Sequence, residues 1–123
     1  MLLDAGALAI LGNHPHVVQS METVTTSDGR EGFVIYSMGN FVSGQPNVAR
    51  RSSLVLYLGL TKGSDGKVTL NGVRHLPLWM DKWSVRPADR GGAEDGLALT
   101  TRILGKWNRM GSSDPLVTNA GCR

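Results

Sequence analysis

Two short turns of the same chemistry constrain most strongly what this chain can fold into. Ser27-Asp28-Gly29-Arg30 and Ser64-Asp65-Gly66-Lys67 each separate two runs that are rich in β-branched, aromatic and other apolar residues. An Asp-Gly pair tolerates the positive φ angles of a tight hairpin turn, and flanking runs of this kind form strands. The sequence therefore predicts two antiparallel hairpins.

The strands around the second turn differ in their apolar pattern. Residues 54–60 are apolar on both alternating faces, which predicts a central strand, whereas the weaker alternation in residues 68–73 is typical of a strand nearer a sheet edge. Pro77 is expected to end this hairpin, because proline cannot donate to the ladder.

The two ends of the chain supply the helical predictions. Residues 1–5 are typical of the last turn of a helix that ends at Gly6, and the apolar residues 7–11 indicate a strand covered on both faces, as in an α/β sheet. Residues 93–110 are the one long helix candidate, with an apolar stripe that Gly96 and Gly105 interrupt.

The predicted fold class is therefore α/β, rich in antiparallel hairpins, with one long C-terminal helix. We expect one domain over residues 1–110 and a flexible tail over residues 111–123.

Composition excludes several classes of protein. The chain has 123 residues, 41% hydrophobic and 19% charged, which is typical of a globular domain. Its net charge of +3 is small and Arg50-Arg51 is its only adjacent basic pair, so no nucleic-acid interface is expected. No apolar run approaches the roughly 20 residues of a membrane helix, and no signal peptide is indicated. Cys122 is a lone cysteine near the C-terminus, and no role is assigned to it.

A His-Pro-His turn follows the first predicted strand. His14 and His16 flank Pro15, which fixes its own φ and restricts the residue before it. Ligand sites in open α/β sheets gather beyond the carboxyl ends of strands, and neutral imidazole is a common metal ligand. His14 and His16 are therefore candidate catalytic residues and metal ligands. The alternative is that they are only polar turn residues.

A second strand-end loop, Ser37 to Gln45, has a similar character. Asn40 offers an amide that could bind substrate or orient a ligand histidine, and Gly39 indicates a bend or a close backbone approach. Asn13 and Asn40 are the candidate substrate-binding residues, and both loops are expected to line one pocket. The alternative is a plain turn with Phe41 in the core. The third histidine, His75, is expected to be a structural strand residue.

These motifs resemble the CapA family of capsule synthesis, or poly-γ-glutamate biosynthesis, proteins. The resemblance lies in Asp4 to Gln19 (DAGALAILGNHPHVVQ) and Phe33 to Val42 (FVIYSMGNFV), and it extends over most of residues 1–85. It implies a calcineurin-like metallophosphoesterase fold, in which two packed β-sheets carry helices on both outer faces. His14 and His16 would then fall in the last metal-binding motif, one for each of two divalent ions such as Mn, Zn or Fe.

The resemblance also implies a role and a location. It predicts a protein of the bacterial cell envelope, extracytoplasmic or membrane-associated, that handles an anionic polymer or contacts the machinery that makes it. The chain would be the C-terminal portion of such a protein, with an incomplete ligand set and any membrane anchor lying outside this sequence. Two alternatives remain open: a metal-dependent phosphoesterase acting on a small anionic substrate, and a non-catalytic accessory or interaction fragment.

Overall fold

The computed structural model describes residues 2–116. In chain order its elements are β1 (Ala9–Leu11), β2 (Met21–Thr25), β3 (Glu31–Ile35), α1 (Val48–Arg51), β4 (Ser52–Lys62), β5 (Val68–Asp81), β6 (Ser84–Pro87) and α2 (Glu94–Leu104). The strands form two three-stranded sheets, so the predicted α/β class is confirmed.

The first sheet has the order β1-β3-β2. The predicted hairpin at Asp28-Gly29 joins β2 to β3 in antiparallel register, and Gly29 has a φ of 81°. The central strand β3 is buried from Gly32 to Ile35. Strand β1 pairs with β3 in parallel and lies at an edge, with Leu11 49% exposed, so the prediction that both its faces are covered was wrong.

The predicted N-terminal helix is absent from the described residues. Residues 2–6 form turns, with Gly6 donating its N–H to the carbonyl of Leu3, and Gly6 adopts a φ of 107°. Gly6 does mark a chain reversal, but a single helical turn cannot offset the cost of nucleating a helix.

The second sheet has the order β4-β5-β6. The sequence predicted β4 as the central strand and β5 as the strand nearer an edge, and both predictions were wrong. The long hairpin at Asp65-Gly66 is confirmed, but β4 is an edge strand and β5 is central. The sequence reasoning missed β6, which pairs with the end of β5 through a tight turn at Lys82-Trp83. That turn contains no glycine or asparagine; Lys82 itself takes a positive φ of 54°.

Pro77 does not end the hairpin, because β5 continues through it to Asp81. The carbonyl of Pro77 accepts from the N–H of Ala88 on the side of β5 that faces β6. A residue in an antiparallel ladder directs its N–H and its C=O to the same side. The missing N–H of Pro77 therefore lies outside the β4–β5 ladder, and the proline costs that ladder no hydrogen bond.

Helix α2 is confirmed but is shorter than predicted. It ends at Leu104, because Gly105 follows with a φ of 77°. The chain then returns to the sheet: His75 donates its N–H to the carbonyl of Asn108, and Met110 donates to the carbonyl of His75. These bonds use the open edge of β5 that β6 leaves uncovered.

The main core lies where the two sheets and α2 meet. Phe33 and Ile35 of the first sheet pack with Leu54 and Val73 of the second, together with Val18. The side chains of Ile103 and Leu104 from α2 border this cluster. The full sandwich with helices on both outer faces stays a prediction.

The predicted tail is only partly described. Arg74 pairs with Asp114 and donates to the carbonyl of Pro115, while residues 117–123, including Cys122, lie outside the described residues. In the part of the chain that is described, no helix has the length and apolar character needed to cross a membrane.

Candidate functional site

The two loops singled out in the sequence leave the first sheet at the same edge. Strands β1 and β3 are parallel neighbours, so their carboxyl ends lie side by side. The His-Pro-His turn follows β1, and the loop that contains Asn40 follows β3. The backbones are joined here, since Gly12 donates to the carbonyl of Ile35 and Met38 donates to the carbonyl of Gly12.

Both glycines at these strand ends are required by their surroundings. A Cβ on Gly12 would lie 2.1 Å from the carbonyl oxygen of Tyr36, so only glycine lets β1 run this close to β3. Gly39 has a φ of 77°, and a Cβ there would lie 2.7 Å from the carbonyl oxygen of Ser52. The bend and close backbone approach that the sequence predicted at Gly39 are therefore confirmed, and the two glycines fix the start of both loops.

The side chains of His16 and Asn40 meet between these loops. His16 Nδ1 lies 2.7 Å from Asn40 Oδ1. Asn40 is only 8% exposed, and its Nδ2 donates to Gln45 Oε1 at 3.2 Å and to the carbonyl of Arg50 at 3.1 Å. A backbone carbonyl can only accept a hydrogen bond, so the Asn40 atom that faces Arg50 is the NH₂ group. The oxygen of the amide must then face His16.

This orientation of Asn40 determines the tautomer of the neutral His16 ring. Because Oδ1 of Asn40 can only accept, Nδ1 of His16 must carry the proton and donate it. The other ring nitrogen, Nε2, then keeps its lone pair. An imidazole held this way can accept a proton or bind a metal ion through Nε2, while the hydrogen bond from Nδ1 to Asn40 fixes the orientation of the ring. The φ of His16 is 61°, a strained value for a residue with a side chain.

His14 and Asn13 are placed differently. Both are exposed, and within residues 2–116 neither side chain takes part in a hydrogen bond or an ion pair. The structure thus brings together His16 and Asn40 of the four residues that the sequence singled out. Phe41, which the alternative interpretation put in the core, is 59% exposed.

The described residues do not make a complete metal centre. Within residues 2–116, no group of three or more histidine, cysteine, aspartate or glutamate side chains could hold a metal ion. A structural zinc site takes about four protein ligands and a catalytic one about three. The donor chemistry of His16 Nε2 suits a divalent metal, but residues 2–116 offer too few ligands to complete a metal centre.

The edge of the sheet that carries both loops lies in a segment that matches a protein-family model. Residues 1–45 match the family model described as bacterial capsule synthesis protein PGA_cap. Over these residues the chain is similar to the CapA family. His16, Asn40 and Gln45 all lie within the matched residues, so the side chains in contact here belong to the family segment.

Two curated CapA proteins are similar to part of the chain. The capsule biosynthesis protein CapA of Bacillus anthracis is 42% identical over 57 residues, which cover 46% of this chain and 13% of the relative. The PGA biosynthesis protein CapA of Bacillus subtilis strain 168 is 36% identical over 64 residues, which cover 52% of this chain and 16% of the relative. The chain thus spans less than a fifth of either relative. No solved structure matches it significantly.

Within the matched segment, sequence reasoning missed two polar contacts. Gln45 accepts from Asn40, and the hydroxyl of Tyr36 donates to the carboxylate of Glu22. The hydrogen bond to Glu22 and the negative charge of its carboxylate raise the pKa of Tyr36. Neither pair forms a recognisable sequence motif, because the partners are 5 and 14 positions apart in the chain. Only the fold of the loops and strands brings them together.

His75 lies apart from the site, in the middle of β5. It is fully buried, and neither ring nitrogen has a hydrogen-bond partner among the described residues. Burial lowers the pKa of His75, and the positive charge of Arg109 lowers it further, so the ring is neutral at physiological pH. His75 therefore lies in a strand, as the sequence predicted.

Proposed function

We propose that this chain acts in the synthesis of a bacterial capsule polymer of the poly-γ-glutamate class, at the cell envelope. The relatives are named for capsule biosynthesis and PGA biosynthesis, and the family match covers residues 1–45. The partner we propose is the anionic polymer or the machinery that makes it.

One observation carries the chemical part of the proposal: the contact between His16 and Asn40 inside the family segment. A structural turn needs no particular imidazole tautomer. Here a largely buried amide, itself held by two acceptors, leaves Nε2 of an exposed histidine free to accept. This arrangement suits a ring that meets a proton, a metal ion or a substrate from solvent.

The second candidate is a metal-dependent phosphoesterase that acts on a small anionic substrate. The lone pair on His16 Nε2 favours it, because such enzymes bind their metals partly through neutral imidazole. His14 and His16 would be two of the ligands for Mn, Zn or Fe, and the others would have to come from outside residues 2–116. A bound metal of this kind supplies Lewis acidity toward a phosphoryl oxygen. Asn13 would bind the substrate beside them.

The capsule role is tested in the organism that encodes this chain. We expect His16→Gln to lower the amount of surface polymer strongly while the protein level stays normal. Ser20→Ala is the matched control, because Ser20 is exposed close to the same turn and its side chain makes no hydrogen bond. Wild-type polymer from a normally expressed His16→Gln variant would contradict the proposal.

Metal binding separates the two candidates from a third, a non-catalytic accessory fragment. Calorimetric titration with MnCl₂ or ZnCl₂, carried out on a protein that includes the segments supplying the remaining ligands, measures affinity directly. The metal-site interpretation predicts at least a tenfold loss of affinity in His16→Ala and in His14→Ala. If both variants bind the ions as the wild type does, the two histidines are not metal ligands and the phosphoesterase candidate fails.

A further inference from the structure

We propose that the turn at Lys82-Trp83 and the loop beside it form a docking surface for an anionic γ-linked polyglutamate chain, which leads to the contact between His16 and Asn40. This inference rests on the proposed capsule function, because that function supplies the occupant. The Trp83 surface consists of the exposed side chains of Phe41, Val42, Arg50, Lys82 and Trp83.

The turn between β5 and β6 holds an aromatic side chain out in solvent at a cost to the backbone. Trp83 is 74% exposed, and Lys82 before it has a φ of 54°. Two-residue hairpin turns that need a positive φ at their first position ordinarily place glycine there. A lysine in this conformation is strained, and such strain clusters at functional sites. The turn therefore keeps a charge and a large apolar ring at its tip, although glycine would suit the fold better.

Trp83 lies against the loop that follows β3. A Cβ on Gly44 would lie 3.3 Å from Cη2 of Trp83, so the ring is already seated beside this part of the loop. The N–H of Ser43 donates to Sδ of Met80, which attaches the loop to the same end of β5. The turn and the loop are therefore held together before any ligand arrives.

Two further exposed apolar side chains lie between this contact and the site. Phe41 and Val42 directly follow Asn40 in the chain, and they are 59% and 51% exposed. A single exposed apolar residue needs no explanation, but a group of large ones around one loop is typical of an interaction surface. The Trp83 surface thus extends from the turn to the residue that holds His16.

The charge of this region is suited to a polyanion. Residues 12–20, 37–51 and 79–84 build the site and the turn, and they contain one acidic residue, Asp81, against Arg50, Arg51 and Lys82. Asp81 is paired with Arg51 at 2.8 Å. Within residues 2–116, the exposed side chains of Arg50 and Lys82 take part in no ion pair or hydrogen bond. Their charges are therefore available to carboxylates.

The chemistry of γ-linked polyglutamate matches the apolar and the charged parts of the surface. Each unit of this polymer carries an α-carboxylate, an amide and a short run of methylene groups. The carboxylates can pair with Lys82 and Arg50, and the methylene groups can pack on the large, rigid face of Trp83. An anionic membrane would match the charges as well. A flexible chain suits the surface better, because it can continue along the loop to the largely buried amide of Asn40.

A second Lys-Trp pair in the same chain provides a matched control. Lys106-Trp107 is also exposed, with Trp107 67% exposed. It follows α2 and borders a cavity that Met21 and Leu104 also line, away from the loop after β3. Equivalent substitutions at the two pairs therefore remove the same side chains from different surfaces.

The inference is tested by fluorescence anisotropy, with a short fluorescein-labelled γ-linked glutamate oligomer titrated with the full chain at low ionic strength. We expect Trp83→Leu to weaken binding about tenfold and Lys82→Gln about two- to fivefold. Trp107→Leu and Lys106→Gln should bind as the wild type does. Lys82→Gly removes the charge and the strain together, so it should unfold at a higher urea concentration than the wild type and yet bind as weakly as Lys82→Gln.

The outcomes separate this inference from the proposed function. An oligomer that does not bind the wild type, or that binds Trp83→Leu equally well, overturns the inference, and the surface-polymer assay of His16→Gln still decides the capsule role. Equal losses in Trp83→Leu and Trp107→Leu indicate non-specific attraction and overturn it too. Weaker binding in Trp83→Leu alone supports the inference even if His16→Gln makes normal polymer.

Other occupants of the Trp83 surface are recognised by the same variants. Binding to phosphatidylglycerol vesicles that Trp83→Leu abolishes, with oligomer binding unchanged, would assign the surface to a membrane. A wild-type dimer that Trp83→Leu dissociates, again with oligomer binding unchanged, would assign it to a second copy of the chain. Either result overturns the inference. If Trp83→Leu fails to fold, Lys82→Gln and Lys82→Gly, which keep the ring, decide by the same criterion.

Discussion

Replacing Gly96 with alanine tests how α2 packs on the second sheet. In the interior of a helix, this change ordinarily stabilises a protein by about 1 kcal/mol. Here an added Cβ would lie 2.4 Å from Cε3 and 2.7 Å from Cζ3 of Trp79. Both distances are far inside van der Waals contact, so the ring or the helix must move.

The Trp79 ring has little room to retreat. It is only 6% exposed, and the guanidinium of Arg51 lies 4.3 Å from the ring centroid. The new Cβ would also lie 3.2 Å from Ser52 Oγ. Overpacking of this kind costs about 1–3 kcal/mol, and the gain in helix propensity offsets about 1 kcal/mol of it. We therefore expect Gly96→Ala to lower the free energy of unfolding by about 1 kcal/mol.

Urea unfolding followed by circular dichroism measures this difference. Ala98→Gly, at an exposed position of the same helix, should cost about 1 kcal/mol through helix propensity alone and shows that α2 contributes to the measured stability. In the background of Trp79→Leu, where the ring is gone, the added alanine should cost nothing or stabilise. An increase in the free energy of unfolding of Gly96→Ala by the full propensity value would refute the packing described here.

Three further outcomes are expected. Ile35→Ala, at a fully buried position of β3, should lower the free energy of unfolding in urea by about 2–5 kcal/mol, and a loss under 1 kcal/mol would contradict the core assignment. Because the fold lowers the pKa of His75, the unfolded chain takes up that proton first as the pH drops, so stability should be highest above about pH 6.5 and fall below it. Urea midpoints measured from pH 7 to 5 should decline less steeply in His75→Leu than in the wild type. An unchanged slope would argue against a neutral buried ring. Gly12→Ala forces a Cβ against the Tyr36 carbonyl and should separate the two loops, seen as loss of the His16 Nδ1–H signal; a retained signal would show that the strands can move apart without consequence.

The two strand-end loops could be located from the sequence because their signals are local, whereas the parallel pairing of β1 with β3 joins residues 24 positions apart and is seen only in the fold. Gly12 and Gly39 each follow a β-rich run, and parallel strands end at one edge of a sheet. The strand ranks could not be predicted in this way. Apolar residues on both faces of β4 suggested a central strand, but the sheet position depends on β6, whose turn at Lys82-Trp83 has no recognisable turn residues.

The role and orientation of the Asn40 side chain also could not be predicted from the sequence. Asn40 was assigned to substrate binding or to orienting a histidine, and nothing in its neighbours decided between the two. The hydrogen bond from Asn40 to the Arg50 carbonyl decides between them, and it depends on how the loop before α1 folds. His14 and His16 look equivalent in the motif, but of these two histidines only His16 forms a hydrogen bond with Asn40 in the described structure.

The central claim is that Asn40 holds His16 with its Nε2 nitrogen unprotonated and available. The most direct measurement is the ring-nitrogen ¹⁵N spectrum of the wild-type chain at pH 8, where ordinary imidazoles are neutral, with His14 as the internal reference. The account predicts that the His16 proton resides on Nδ1 alone, while the exposed ring of His14 samples both tautomers. A His16 ring protonated on Nε2, or one with the same mixture as His14, would contradict it.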